Sequence, residues 1–154
     1  MNAVQDRIER EITINASVER VWSLISVPGW WAGDGDASEQ KRRTEGEWSV
    51  IEDPKYGTFR VRPAGSEPHR YASYRWVVGE SVGVDVEPSE EDTTLVEFWL
   101  SELTGGATLV RVLESGFASL TGSDEHRRLS IDSHTDGWRQ QLDILKARAE
   151  HVAV

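Results

Sequence analysis

The sequence has no cysteine, a single methionine and five prolines, and no apolar run long enough to span a bilayer. Without cysteine there is no disulfide, no thiolate nucleophile and no Cys-based zinc or iron–sulfur site, so stability must come from packing. Positive charge is also scarce: 17 Lys and Arg stand against 27 Asp and Glu, a formal charge of −10. That balance repels phosphate backbones and anionic headgroups, so neither nucleic acid nor a membrane surface is an expected partner. The opening residues Met1-Asn2-Ala3-Val4-Gln5-Asp6 lack the basic and apolar segments of a secretory signal, and the expected location is the cytoplasm.

Catalytic and metal motifs are missing as well. His69, His126, His134 and His151 include no pair at the one-turn spacing that presents two imidazoles to zinc on one helical face. Asp34, Asp36, Ser38 and Glu45 fit some positions of a calcium-loop register. However, Glu39 stands where glycine makes the turn and Lys41 where an apolar residue is usual, so a solvated acidic loop is expected. No serine lies in a Gly-x-Ser-x-Gly elbow. Ser133-His134-Thr135-Asp136 contains triad residue types in succession, but neighbours on a helix do not face each other. Lys41-Arg42-Arg43 reads as a solubilising charge run. No metal and no cofactor is expected.

What is present is tryptophan, seven in 154 residues. Each indole buries on the order of 150 to 250 Å², which is ample material for the walls of a pocket. A chain of this length is one domain by default. Alternation predicts a strand over 7–15, with Ile8, Ile12 and Ile14 on one face and Arg10 interrupting it. Ser17 sits where a helix N-cap belongs, and Val18, Val21, Trp22 and Ile25 follow at helical spacing up to Pro28-Gly29. Strands are expected from Trp48 and from Thr58, punctuated by Pro54 and Pro63. Others are expected over 70–78, 94–103 and 108–114, the last two joined by a Gly105-Gly106 hairpin. Residues 85–92 read as an exposed acidic loop.

From Ser123 onward Ile131, Thr135, Trp138, Leu142, Leu145 and Ala149 recur at spacings of three and four, the stripe of a long terminal helix. Gly137 interrupts it at a cost of about 1 kcal/mol relative to alanine. A close approach to the sheet, or a break in the helix, would account for it.

The order of elements is an α+β plan. Ile8-Glu9-Arg10-Glu11-Ile12-Thr13-Ile14-Asn15-Ala16, Val21-Trp22 and Trp30-Trp31 resemble the opening of the START-like (SRPBCC) superfamily. More narrowly, they resemble its branch of homologues of the activator of heat-shock protein 90 ATPase. Tyr74-Arg75-Trp76, Thr94-Leu95-Val96-Glu97-Phe98, Glu114-Ser115-Gly116-Phe117 and Gly137-Trp138 continue the match over roughly residues 7–150. The resemblance implies one domain with a helix-grip fold in β-α-α-β(5–6)-α order, its curved antiparallel sheet wrapped around the long C-terminal helix. It also implies a hydrophobic cavity between the two.

Candidate wall residues from the first half of the chain are Trp22, Trp31, Trp48, Phe59, Tyr74 and Trp76. From the second half they are Phe98, Leu100, Val110, Val112, Trp138 and Leu142, with Glu114 at the cavity mouth. Burial there would let Glu114 act as an acid or base. Trp30-Trp31 is placed to form a lid or entrance, or to pack one ring with the other half exposed. Arg75, Glu97 and Arg111 lie opposite the apolar faces and are expected in solvent or in cross-strand pairs. A dry, empty site of about 300 Å³ would cost about 7 kcal/mol at roughly 24 cal/mol per Å³. A sizeable cavity is therefore expected to be occupied, hydrated or collapsed. The leading expectation is non-catalytic binding or carrying of a small hydrophobic molecule, lipid- or polyketide-like. A cyclase or aromatase-like enzyme is the alternative, and a co-chaperone-like or other interaction module is third. Glu114 or His134 directed into a deep pocket favours the enzyme, whereas a filled core favours the interaction module.

Overall fold

The computed structural model describes residues 6–32, 40–54, 57–78 and 87–151. Strand β1 (Arg7–Ile14) alternates as its pattern requires, with Ile8 and Ile14 buried and Arg7, Glu9 and Glu11 in solvent. Ser17 then caps α1 (Val18–Ile25), its hydroxyl accepting the Arg20 amide at 3.2 Å. This satisfies one of the amide groups that a helix start leaves without a partner. Val18, Val21 and Ile25 form the buried stripe. One helix precedes the next strand among the described residues. The stretch with Asp34, Asp36, Ser38 and Glu39 lies outside them, and so does any second helix of the expected β-α-α opening there.

Six further strands follow: β2 (Lys41–Glu45), β3 (Trp48–Asp53), β4 (Gly57–Glu67), β5 (Tyr71–Val77), β6 (Thr93–Glu102) and β7 (Thr108–Ser115). They form one open sheet in the order β1-β7-β6-β5-β4-β3-β2, antiparallel at every junction. The helix α2 (Asp124–Glu150) closes the chain, capped by Ser123, whose hydroxyl accepts the His126 amide at 3.1 Å. Ile131, Trp138, Leu142, Leu145 and Ala149 of α2 are buried in one cluster with Val96, Phe98, Leu100, Val110 and Val112 of the sheet. This is the α+β helix-grip architecture. The far end of α2 is tied to the β1–α1 junction, where Glu150 accepts the Asn15 amide at 2.7 Å and Arg20 donates to the Arg148 carbonyl at 3.0 Å. Among the described residues no helix is long and apolar enough to cross a membrane.

Some local expectations change. The run Lys41-Arg42-Arg43 belongs to β2, a strand with every residue exposed. As the sheet's last strand it buries no face, so it carries no hydrophobic alternation, and its charges guard an open edge. Strand β4 does not stop at Pro63 but continues to Glu67, because the register shifts between Pro63 and Gly65. Such an irregularity accommodates a residue with no amide hydrogen to donate. Of the expected acidic loop, 85–86 lie outside the described residues, while Glu90–Asp92 form a 3-10 turn with Asp92 buried. Gly137 neither breaks α2 nor lets backbone approach closely, since a Cβ built there meets nothing within 4 Å.

Gly29 has the opposite surroundings. Its φ is +72°, and an added Cβ would stand 2.4 Å from the Cδ1 of fully buried Ile51. The turn it permits carries Trp30 and Trp31 into the core. Left-handed strain and overpacking together predict that Gly29→Ala destabilises the fold by about 2 kcal/mol, to be read as a lower urea midpoint at unchanged slope.

Candidate functional site

The inward row of β7 runs Val110, Val112, Glu114, and all three are fully buried. A carboxylate withdrawn from water must be hydrogen-bonded, or its burial costs several kcal/mol. Glu114 is met from two directions. Thr94, on the adjacent β6, donates its hydroxyl to Oε2. From α2, His134 Nδ1 lies 2.8 Å from Oε2, and Trp138 Nε1 donates to Oε1 at 2.8 Å. His134 and Trp138 are four residues apart, so one helical face presents both rings to the carboxylate.

Because a carboxylate accepts, the His134 nitrogen facing it carries the hydrogen, and in the neutral ring Nε2 is then the acceptor. The ring is clamped flat. Trp76 stacks on it at 4.2 Å and 16°, and Phe117 meets it edge-on at 5.4 Å. Nε2 has no hydrogen-bond partner among the described residues, and the side chain retains 13% exposure.

Next to this pair the interior is filled by aromatic rings. Trp30 and Trp31 are 5% and 3% exposed, so neither forms the expected surface lid. Trp31 contacts Phe98 at 5.6 Å, Trp138 at 5.6 Å and Tyr74 at 5.4 Å, and Trp30 contacts Phe98 at 5.4 Å. Tyr74 donates its hydroxyl to the Ile25 carbonyl at 2.7 Å, and burial pushes its phenol well above the usual range. The indole N–H groups of Trp30 and Trp31 are buried without a partner among the described residues.

Beside these rings is a partly open pocket of about 200 Å³ between α2 and strands β4 and β5. Its walls are Trp31, Phe59, Trp76, Ser133, His134, Gly137, Trp138 and Gln141. Gly137 supplies volume to this pocket by having no side chain. Phe59, Trp76, Ser133 and His134 also border a wider surface depression that reaches His126 and Leu129.

Of the thirteen candidate residues, Trp31, Phe59, Trp76 and Trp138 converge on this pocket, with Glu114 behind it holding His134. Phe98, Leu100, Val110, Val112 and Leu142 are buried core and do not line it. Trp22 and Tyr74 border a different depression beside Pro63. Trp48 is a correction to the expected cavity wall. It belongs to a separate cluster with Val50 and Val77 on the outer face, where Arg62 lies 5.2 Å above its ring and Glu87 accepts its indole N–H. Arg111 pairs with Glu9 at 2.7 Å and Glu97 accepts from Tyr71, both on that outer side.

Sequence reasoning missed the Glu114–His134 contact and the role of Gly137 at the pocket wall. The signals were an inward Glu114 and a His134 one turn before Trp138, but neither names the other as its partner. Removing the carboxylate by Glu114→Ala strands three buried donors and is expected to destabilise by about 3 kcal/mol. Denaturant unfolding, with near-ultraviolet circular dichroism following the Trp76–His134 stack, measures it.

No curated protein matches the sequence. Similar solved structures include a protein from Mesorhizobium loti at 18% identity and a TM-score of 0.67, the match covering 96% of this chain and 99% of that one. The solution structure of the Aha1 dimer from Colwellia psychrerythraea is similar at 18% identity and 0.63, with coverage of 95% and 97%. The Zhui aromatase/cyclase from a Streptomyces species is similar at 17% and 0.62, with coverage of 94% and 93%. At these identities the likeness is one of fold. Residues 15–150 match the family described as Activator of Hsp90 ATPase homolog 1-like protein, and the chain belongs to that family.

Proposed function

We propose that this chain binds a small, flat, largely apolar molecule with one hydrogen-bonding group, held in the pocket beside His134. The observation that carries the reading is an aromatic-walled opening of about 200 Å³ at the one position of α2 that lacks a side chain. A cavity of about 150 Å³ lined by apolar side chains stays dry and takes up benzene. Of the lipid- and polyketide-like molecules expected from sequence, the pocket therefore suits one or two fused rings better than an extended chain. A longer molecule would extend over the depression toward Leu129, the most exposed large apolar side chain of α2. The three indoles in the wall favour a planar guest by offset or edge contact, and Nε2 of His134 offers it an acceptor. That an aromatase/cyclase shares the fold makes a ring-containing molecule the first candidate to try.

The test uses 2-naphthol and the indole N–H resonances of the protein. Saturable shifts are expected at Trp31, Trp76 and Trp138, with Trp48 and Trp99 unmoved. Gly137→Ala is expected to stabilise α2 by up to about 1 kcal/mol while weakening the complex. Gly137→Leu should keep the fold and abolish the shifts. No saturable response in the wild type, or undiminished binding by Gly137→Leu, overturns the reading. Native mass spectrometry of protein from its own host then identifies the resident molecule.

A further inference from the structure

A histidine kept only for packing has no need of an unoccupied acceptor at a pocket wall. His134 has one: Nδ1 is committed to Glu114, while Nε2 has no partner among the described residues and the ring borders the pocket. Two other observations narrow the chemistry. Ser133 also lines the pocket, but it precedes His134 on the helix, where adjacent side chains diverge, and no hydrogen bond joins them among the described residues. The chain has no cysteine. A braced base beside an apolar wall constitutes proton-transfer machinery without a nucleophile.

We infer that His134 is a general base that enolises a flat aromatic or conjugated ketone bound in this pocket. The inference rests on the ligand reading above. The proton on the carbon next to the carbonyl passes to His134 Nε2. The C–H electron pair becomes the carbon–carbon double bond of the enolate, and the carbonyl π pair moves onto oxygen. The imidazolium formed keeps its Nδ1–H on the Glu114 carboxylate and returns a proton to carbon in the reverse step, so nothing is oxidised or reduced. His134 is the catalytic residue. Glu114 is a positioning residue: it fixes the tautomer and ring plane and stabilises the imidazolium.

The probe is 2-tetralone, a two-ring ketone whose α-hydrogens exchange in deuterium oxide and are counted by proton NMR. Binding is followed separately by the indole resonances. The wild type is expected to accelerate exchange saturably, by about 100-fold or more over an equal concentration of free imidazole. His134→Gln is expected to lose that acceleration while 2-tetralone still shifts the Trp31 signal. Glu114→Gln should lower kcat at least about 10-fold with KM little changed, a split that a packing role alone would not produce. Saturable binding with exchange no faster than imidazole, or equal exchange by His134→Gln, overturns the general base and leaves the ligand reading intact. Should 2-naphthol give no saturable response, the ligand reading falls and the general base falls with it. The comparison of wild type with imidazole needs no variant, so it decides the matter even where a substitution prevents folding.

Discussion

A carboxylate withdrawn completely from solvent has to be surrounded by donors, and this one requirement organises the site. Glu114 gathers Thr94 from the neighbouring strand and His134 and Trp138 from one face of the terminal helix. The charge thereby locks α2 in rotation against β6 and β7, because another rotation would leave donors and acceptor unsatisfied in a medium where that is expensive. The imidazole so held lies flat against Trp76, and its ring borders the pocket.

Volume is the second constraint. The rings that sequence assigns to the walls of a large internal cavity largely fill that cavity instead, since interiors pack to the density of organic crystals. Trp30 and Trp31 enter the core on the tight turn at Gly29 and stack among Phe98, Tyr74 and Trp138. An aromatic-walled pocket is left at one margin, alongside Gly137. The two glycines act in opposite senses: Gly29 lets aromatic mass in, and Gly137 keeps some out.

The helices and most strands were legible because each buries one face, and burial of one face writes a period into the chain. Ser17 marked the first helix start for a local reason, the amides left open at a helix end; the long helix was read from its apolar stripe, and its cap at Ser123 came from the structure. Where no face is buried the signal vanishes, as in β2, whose residues are all exposed. Where both faces are buried the signal is ambiguous. Strand β3 buries Trp48 and Val50 on one side and Ile51 on the other, so its alternation does not say which side is inward, and Trp48 was assigned to the wrong one. Trp30 and Trp31 stand in a turn, which has no period at all.

From the sequence alone came the sheet followed by the long helix, the inward direction of Glu114 and the stripe containing Trp138. Periods of 2.0 and 3.6 residues report how each side chain points relative to its own element. Only the tertiary structure decided that Glu114 meets His134, that most of the indoles occupy the interior and that an aromatic-walled opening lies beside Gly137. Those are distances between elements, and they follow from the simultaneous packing of every side-chain volume and the pairing of every buried polar group, which no local pattern encodes.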